Sequence, residues 1–596
     1  MTFVVIQFLT GLTGAVTLFL TAAGLTVIFG VSRIVNFAHG SLFMLGAYLG
    51  WSILTRLPHT PVWFTAGVLL AAVATGITGA LLEVSLLRRL YGAPPLLQLL
   101  ATFGVMLIIQ DATLYLWGPD ELTLPRPPWL RAFVSILGER FPRYDLILIG
   151  IGPLVLGGLL LLLNRSRFGM LIRACTENRD IAAALGIDQR RLSTLVFALG
   201  AALAGLAGAL VLPDRSANLQ MDLSVIVEAF VVVVVGGMGS ITGAFLASLL
   251  IGLLQAFGLV LIPKATLVLV FVIMAGVLSI RPSGLLGAAS TEIERRPMPI
   301  RPAPAILGWV AVVLAATAPF WLPAYPLSVL TEMLVAALFA AALHLLIGPG
   351  GMISFGHAAW FAIGAYAAGL TAHTLTAPMP LALLAAPLAA GLVAAAFGSF
   401  VVRLSGIYLA MLTLAFAQIV WAIATQWTSV TGGDDGILGL WPTGLIPFYW
   451  WVLALTAAAI WLLLRAARAP FGLALTAARD SDARARTVGL NPERLRMVAF
   501  ALSGAATGLA GGLSAFRTGS VFPGFAAVGK SVDGLLMVLL GGVDAAAGPV
   551  IGAMVYTGFY DWLLQAIPLW RLALGLVILA LVLLFPSGLA GAGRRR

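Results

Sequence analysis

The sequence predicts an all-α polytopic membrane protein, built as a tandem duplication of two parallel-oriented domains with about nineteen membrane or half-membrane helices. Three observations predict it. The 596 residues are 61% hydrophobic and only 10% charged, against roughly 25% charge in a soluble domain. Apolar runs near the ~20 residues that span a bilayer, such as "LILIGIGPLVLGGLLLLL" (146–163), recur along the whole length. The second half of the chain also repeats the first. No polar stretch is long enough for a separate soluble domain of ordinary size.

Arginine placement orients the runs. Of 34 basic residues only Lys264 and Lys530 are lysine. The arginines cluster between apolar runs, at 164–191, 465–496, 281–303, Arg88–Arg89 and the "GRRR" tail, which marks these segments as cytoplasmic. Between these anchors the first half has crossings near 5–29, 38–55, 62–86, 97–117, 146–163, 192–213, 225–236, 243–261 and 265–280. The seventh is short for a full span. This parity puts the N-terminus outside and Arg281 inside. "MTFVVIQFLT" has no positive n-region, so it reads as the start of a retained helix.

Nine further runs lie near 327–347, 354–374, 379–402, 407–428, 447–464, 497–516, 532–541, 549–566 and 568–585, after one extra run near 304–323. Nine crossings leave the chain inside, and a second copy of the same orientation must start outside. The extra helix restores the parity and puts the C-terminus in the cytoplasm.

Aligning the chain with itself shows the duplication. "FGMLIRACTENRDIAAALGIDQRRLSTLVFALGAALAGLAGAL" from Phe168 meets "FGLALTAARDSDARARTVGLNPERLRMVAFALSGAATGLAGGL" from Phe471, with no gap at an offset of 303. Gly186 meets Gly489, and Gly205 and Gly208 meet Gly508 and Gly511. His39 pairs with His357 at offset 318, Gly236 with Gly541 at 305, and Pro282 with Pro586 at 304. Four blocks in one order at near-constant spacing define a first domain at 1–285 and a second at 326–596. A stiff "RRPMPIRPAP" linker at 286–303 and the extra helix at 304–325 join them.

The composition excludes other classes. The net charge of +11 follows the topology and has no soluble basic face to serve nucleic acid. A single cysteine, Cys175, allows no intrachain disulfide and no cysteine metal cluster. Neither H-E-x-x-H nor G-x-S-x-G occurs. The chain is therefore expected to have no catalytic residue, no metal and no cofactor of its own.

By their residues the halves resemble a known family. "NFAHGSLFMLGAY" and the 168–210 block look like one membrane subunit of the bacterial branched-chain amino-acid ABC importers. "ISFGHAAWFAIGAY", "GIYLAMLTLAFAQI" and "TGGDDG" look like the other. The resemblance covers nearly the whole chain and implies a fusion of both permease subunits in the inner membrane. It also implies two cytoplasmic ABC ATPase subunits that use the ATP, a periplasmic solute-binding protein and an amino-acid-like small-molecule substrate. Relatives that carry urea, short amides or other amino acids leave the cargo open. An ion-coupled carrier acting alone is the remoter alternative.

The resemblance places ATPase-coupling loops at "ENRDIAAALG" (Glu177, Arg179, Asp180, Gly186) and "RDSDARARTVG" (Arg479, Asp480, Gly489). The second copy departs from the pattern, with Arg486 for Ala183 and Thr476 for Arg173. Asp544 stands where the family commonly has glycine, as at Gly239.

Candidates for the translocation path are His39, His357, Asp111, Glu228, Asp533, Gly236 and Gly237. A histidine at a helix start either touches substrate or protons, or caps and bridges. Buried carboxylates, Glu83 and Glu332 among them, are candidates because burying them unpaired is costly. Glycine breaks either expose helix ends to a zwitterion or allow close packing. On the outer side, Asp434, Asp435 and Lys530 are candidate contacts for the binding protein.

Lys530 lies in "GFAAVGKS" (524–531), which fits G-x-x-x-x-G-K-[ST], the phosphate-cradling loop. The predicted topology puts this stretch in an outer loop, away from ATP. No clear strand precedes it, and its repeat partner has Ile226 in place of Ser531. An outer loop is therefore the expectation.

Overall fold

The computed structural model describes residues 2–32, 35–287, 305–442, 444–585 and 588–591. Most of the predicted linker, Pro586 and the arginine tail lie outside the described residues. Among those described, twelve helices are long and apolar enough to cross a membrane, and shorter apolar helices accompany them. The chain divides into two units, Met1–Ser290 with Leu569–Leu579, and Thr291–Pro568 with Ala580–Arg596.

In the first unit the nine predicted crossings are the helices Thr2–Ser32, Ala38–Leu54, Pro61–Leu82, Pro95–Trp117, Arg143–Arg165, Gln189–Val211, Met221–Gly236, Ile241–Leu261 and Thr266–Ile280. The seventh starts four residues earlier than hydropathy suggested, because its first turn contains the buried Asp222. A short antiparallel hairpin, Phe133–Ile136 with Glu139–Pro142, precedes the fifth. The helix Pro61–Leu82 continues through a π-turn at Glu83–Leu87. There the buried Glu83 accepts from Arg88 at 3.0 Å, Tyr91 at 3.0 Å and Thr194 at 2.6 Å, so this carboxylate is paired inside the fold.

Leu569–Leu579 contributes the start of the helix Trp570–Leu584 to this unit. The buried Asp111 accepts from the backbone N–H of Leu572 at 2.8 Å, and Arg571 lies 3.9 Å away. A carboxylate at a helix start satisfies an orphan N–H and meets the positive end of the helix dipole.

The second unit holds the helices Ala324–Ile347, His357–Thr374, Met379–Val401, Gly406–Gln426, Leu445–Arg468, Pro492–Thr518, Val528–Gly541 and Gly548–Ala566. The extra run is a short helix, Ala305–Thr317. Ala315 is tied to the helix Leu445–Arg468 by the Tyr449 hydroxyl, which donates to its carbonyl at 2.6 Å.

Small residues set the helix packing, as expected where lipid removes the hydrophobic drive between helices. A Cβ on Gly46 would overlap the backbone of Gly205, and one on Gly364 would overlap Gly508. Gly208 lies against the Phe43 carbonyl, and Gly511 lies against the Phe361 carbonyl. The glycines that align the repeat in sequence therefore make the same helix crossing in each unit.

Candidate functional site

Each unit has a helix whose start lies among other helices instead of at a surface. Irregular backbone in such a place needs internal hydrogen-bond partners. Phe37 N–H donates to Thr102 Oγ1 at 3.2 Å, and the repeat-equivalent Phe355 N–H donates to Thr413 Oγ1 at 3.0 Å. His39 and His357 open these helices and are fully buried. His39 Nε2 donates to the Thr21 carbonyl at 3.0 Å, and its Nδ1 has no partner. In the second unit Ser503 Oγ gives its proton to the Ala342 carbonyl at 2.7 Å and lies 2.8 Å from His357 Nε2. Nε2–H is therefore the donor, and Nδ1 faces Ser354 Oγ at 3.0 Å. Both histidines bridge elements within their own unit.

The two arginine-rich segments share one local design. Ser166 caps the helix Arg167–Glu177, and Asn178 caps the short helix Arg179–Ala184. Gly186 then takes φ +81°, and Asp188 caps the helix Gln189–Val211. In the second copy Ser481 caps Asp482–Thr487, Gly489 takes φ +83° and Asn491 caps Pro492–Thr518. A left-handed residue after a helix closes its last carbonyls, as Ile187 N–H does on Ala182 O at 3.1 Å and Leu490 N–H on Ala485 O at 3.0 Å. The result is a capped helix–turn–helix in each unit.

Glu177 and Asp180 are exposed, while the side chain of Arg179 lies outside the described residues. In the second unit Arg479 pairs with Asp480 at 2.9 Å and donates to the Gly348 carbonyl at 2.8 Å. Apolar side chains stand exposed at matching positions, Met170 with Leu473 and Leu185 with Val488.

At the glycine breaks the chain folds back on itself. Leu285 N–H donates to Val235 O at 2.8 Å and Leu286 N–H to Gly236 O at 3.0 Å. This brings Gly284 and Gly287 against Gly237. In the second unit Gly588 lies against Gly542 in the same way. Two blocks that align separately in sequence thus form one contact, and Gly236 and Gly237 are occupied by packing.

Glu228 is half-buried. Nearby is a carboxylate that hydropathy and motif reading missed. Asp222 is fully buried and accepts from Ser41 Oγ at 3.1 Å, Gln110 Nε2 at 3.0 Å and its own Leu223 N–H at 2.7 Å. Ser41 and Gln110 are distant in sequence, so no local pattern marks the cluster.

Asp434 and Asp435 are exposed in a single 3-10 turn, Gly433–Asp435. The strand pair Ile437–Leu438 with Ser520–Val521 fixes that turn beside the end of the helix Pro492–Thr518.

"GFAAVGKS" differs from the expected outer loop. Pro523–Ala526 forms a 3-10 turn, and Lys530 and Ser531 lie in the first turn of the helix Val528–Gly541. The Ser531 hydroxyl is buried and accepts from Ala358 N–H at 2.9 Å. Lys530 Nζ lies 5.2 Å from the centre of the Phe361 ring, a cation–π distance. The physical reason is packing: this helix is largely buried and carries the lysine inward.

Lys530 borders a cavity of about 160 Å³ within the second unit. Glu332, Arg517, Lys530, Asp533 and Tyr556 supply its polar wall. Arg517 Nη1 lies 3.4 Å from Glu332, and the Tyr556 hydroxyl donates to Asp533 at 2.7 Å. Val335, Phe339 and Met537 supply its apolar wall. Among the described residues, no cluster of three or more metal-ligating side chains is present.

Glycine-packed helices, helix starts inside the bundle and matched charged loops define a duplicated multi-span membrane protein of the transporter class. Residues 7–278 and 325–585 both match the family described as "Branched-chain amino acid transport system / permease component". The chain belongs to that family and joins two of its permease units in one polypeptide. It is 31% identical over 296 residues to the high-affinity branched-chain amino acid transport system permease protein BraD of Pseudomonas aeruginosa, covering 48% of this chain and 96% of BraD. It is 28% identical to LivH of Escherichia coli K12, with the same coverage. To LivM of the same organism it is 29% identical over 313 residues, covering 47% of this chain and 73% of LivM.

Proposed function

We propose that this chain is the complete membrane-spanning translocation unit of an ATP-driven importer for branched-chain amino acids in the bacterial inner membrane. The observation that carries this reading is the double family match, over 7–278 and again over 325–585. Two cytoplasmic ATPase subunits dock on the helix–turn–helix loops, one at Arg167–Gly186 and one at Pro470–Gly489. A substrate-loaded binding protein docks on the second unit at the end away from its loop, where Asp434 and Asp435 are exposed. Closure of the ATPases moves the two loops, whose capped short helices and left-handed glycines make them stiff enough to transmit force. Access then alternates between the two sides. The chain itself carries out no chemistry and holds no nucleotide.

The test is transport by the purified chain in proteoliposomes with its ATPases and binding protein. L-leucine uptake should require ATP and all three components. Uptake driven by a proton or sodium gradient without the ATPases would overturn the reading. Uptake of urea or acetamide in preference to leucine would keep the machine and replace the cargo.

A further inference from the structure

The cavity of the second unit has a composition that the rest of the family reading does not explain. Two cations, Arg517 and Lys530, and two carboxylates, Glu332 and Asp533, face one space of about 160 Å³. Val335, Phe339 and Met537 close its apolar side. Two of its lining atoms, Arg517 Nε and Thr557 Oγ1, are buried without a hydrogen-bond partner. Buried polar atoms are nearly always paired, and an exception calls for an explanation such as a bound water, ion or ligand. Charge pairs of this kind are expensive in a membrane protein and mark substrate or ion pathways.

The first unit does not keep this set position by position. At the offset of 305 that aligns the glycine breaks, Lys530 corresponds to Val225, Asp533 to Glu228, Tyr556 to Ile251 and Thr557 to Gly252. At the offset of 318 that aligns the histidines, Glu332 corresponds to Gly14. At the offset of 303, Arg517 corresponds to Asp214. Neither cation keeps its position, although the neighbouring Arg215 acts electrostatically on Glu228.

We propose that this cavity is a binding station for a zwitterionic α-amino acid with an aliphatic side chain, present in the second unit only. Lys530 and Arg517 receive the carboxylate. Asp533 and Glu332 receive the ammonium group. The aliphatic side chain lies against Val335, Phe339 and Met537. Lys530 has its charge over the Phe361 ring instead of in a direct ion pair, and Asp533 is held by the neutral Tyr556 hydroxyl. The two feel each other's charge across the cavity without direct contact, so each keeps hydrogen-bonding capacity for a ligand of opposite charge. This rests on the reading of the chain as an amino-acid permease and adds where the substrate pauses and which of its charges are read.

Binding of radiolabelled L-leucine to the purified full chain in nanodiscs, without binding protein, tests it. One saturable site per chain is expected. Unlabelled L-leucine should compete. Leucinamide, which lacks the carboxylate, and 4-methylvalerate, which lacks the amine, should compete at least tenfold more weakly. Lys530→Gln and Asp533→Asn should each weaken binding at least tenfold in protein that remains monodisperse. Equal competition by all three ligands overturns the proposal, and that arm needs no variant. Two sites per chain, or wild-type binding in both variants, also overturns it. If the chain binds no leucine while the assembled complex imports it, the station is wrong and the permease reading stands. If the complex does not import leucine at all, the permease cargo itself is wrong.

Discussion

Gly46 and Gly205 meet backbone to backbone, and a Cβ on Gly46 would overlap Gly205. Gly364 and Gly508 repeat the contact in the second unit. Gly46→Ala and Gly364→Ala should each destabilise the chain by about 1–3 kcal/mol through overpacking. Thermal unfolding in detergent would show both falls. Gly157→Ala is the control, because a Cβ there meets nothing within 4 Å. It should leave the melting temperature unchanged or raise it, since alanine is the better helix former by about 1 kcal/mol.

Thr102 and Thr413 accept the N–H groups of Phe37 and Phe355 just before two buried helix starts. Valine at either position keeps the shape and removes the acceptor. An orphaned buried donor costs about 1–3 kcal/mol. Thr102→Val and Thr413→Val should therefore lower the melting temperature by similar amounts. A fall in one and not the other would show that the two junctions are not energetically equivalent.

Gly489 needs a left-handed backbone, which costs an L-residue about 1–2 kcal/mol. A Cβ there meets nothing within 4 Å, so the backbone is the whole effect. Gly489→Ala should lower binding-protein-stimulated ATPase activity of the assembled complex by about fivefold, the population change that ~1 kcal/mol produces. Gly489→Asn should recover most of it, because asparagine tolerates this conformation.

Ser531 supplies the acceptor for Ala358 N–H. Ser531→Ala should lower thermal stability by about 1–3 kcal/mol. Mg-ATP should leave the melting temperature of the isolated chain unchanged. A rise at millimolar ATP would mean that "GFAAVGKS" cradles a phosphate after all.

The predicted sidedness is open to labelling. The chain has one cysteine, Cys175, and its thiol is buried, so background reaction should be low. A cysteine at Asp435 should react with an impermeant maleimide from the periplasmic side of intact spheroplasts. One at Glu177 should react only after the membrane is opened. The reverse pattern would invert the topology.

Helix positions were largely legible in the sequence because hydropathy acts along the chain. The run near 38–55 is the helix Ala38–Leu54, and that near 379–402 is Met379–Val401. The paired glycines were legible as a repeat, although their physical reason, contact between Gly46 and Gly205, is not local. Asp222 was missed because Ser41 and Gln110, its partners, come from two other helices. Lys530 was misplaced in a loop because the helix that carries it begins with "VGKS", a polar start that hydropathy trims away. The cavity was invisible for the reason that hid Asp222: five helices contribute to its wall.

The fold-back of Gly284–Gly287 onto Gly237 bears on where the first half can be cut. Hydropathy would end it at Ile280, the last residue of its final apolar helix. Excision there would strip the Val235 and Gly236 carbonyls of their donors, Leu285 and Leu286, and uncork the glycine elbow between two helices. A working boundary for gene splitting or domain grafting therefore falls after Gly287, seven residues beyond the last apolar helix and two beyond the edge that the repeat suggests.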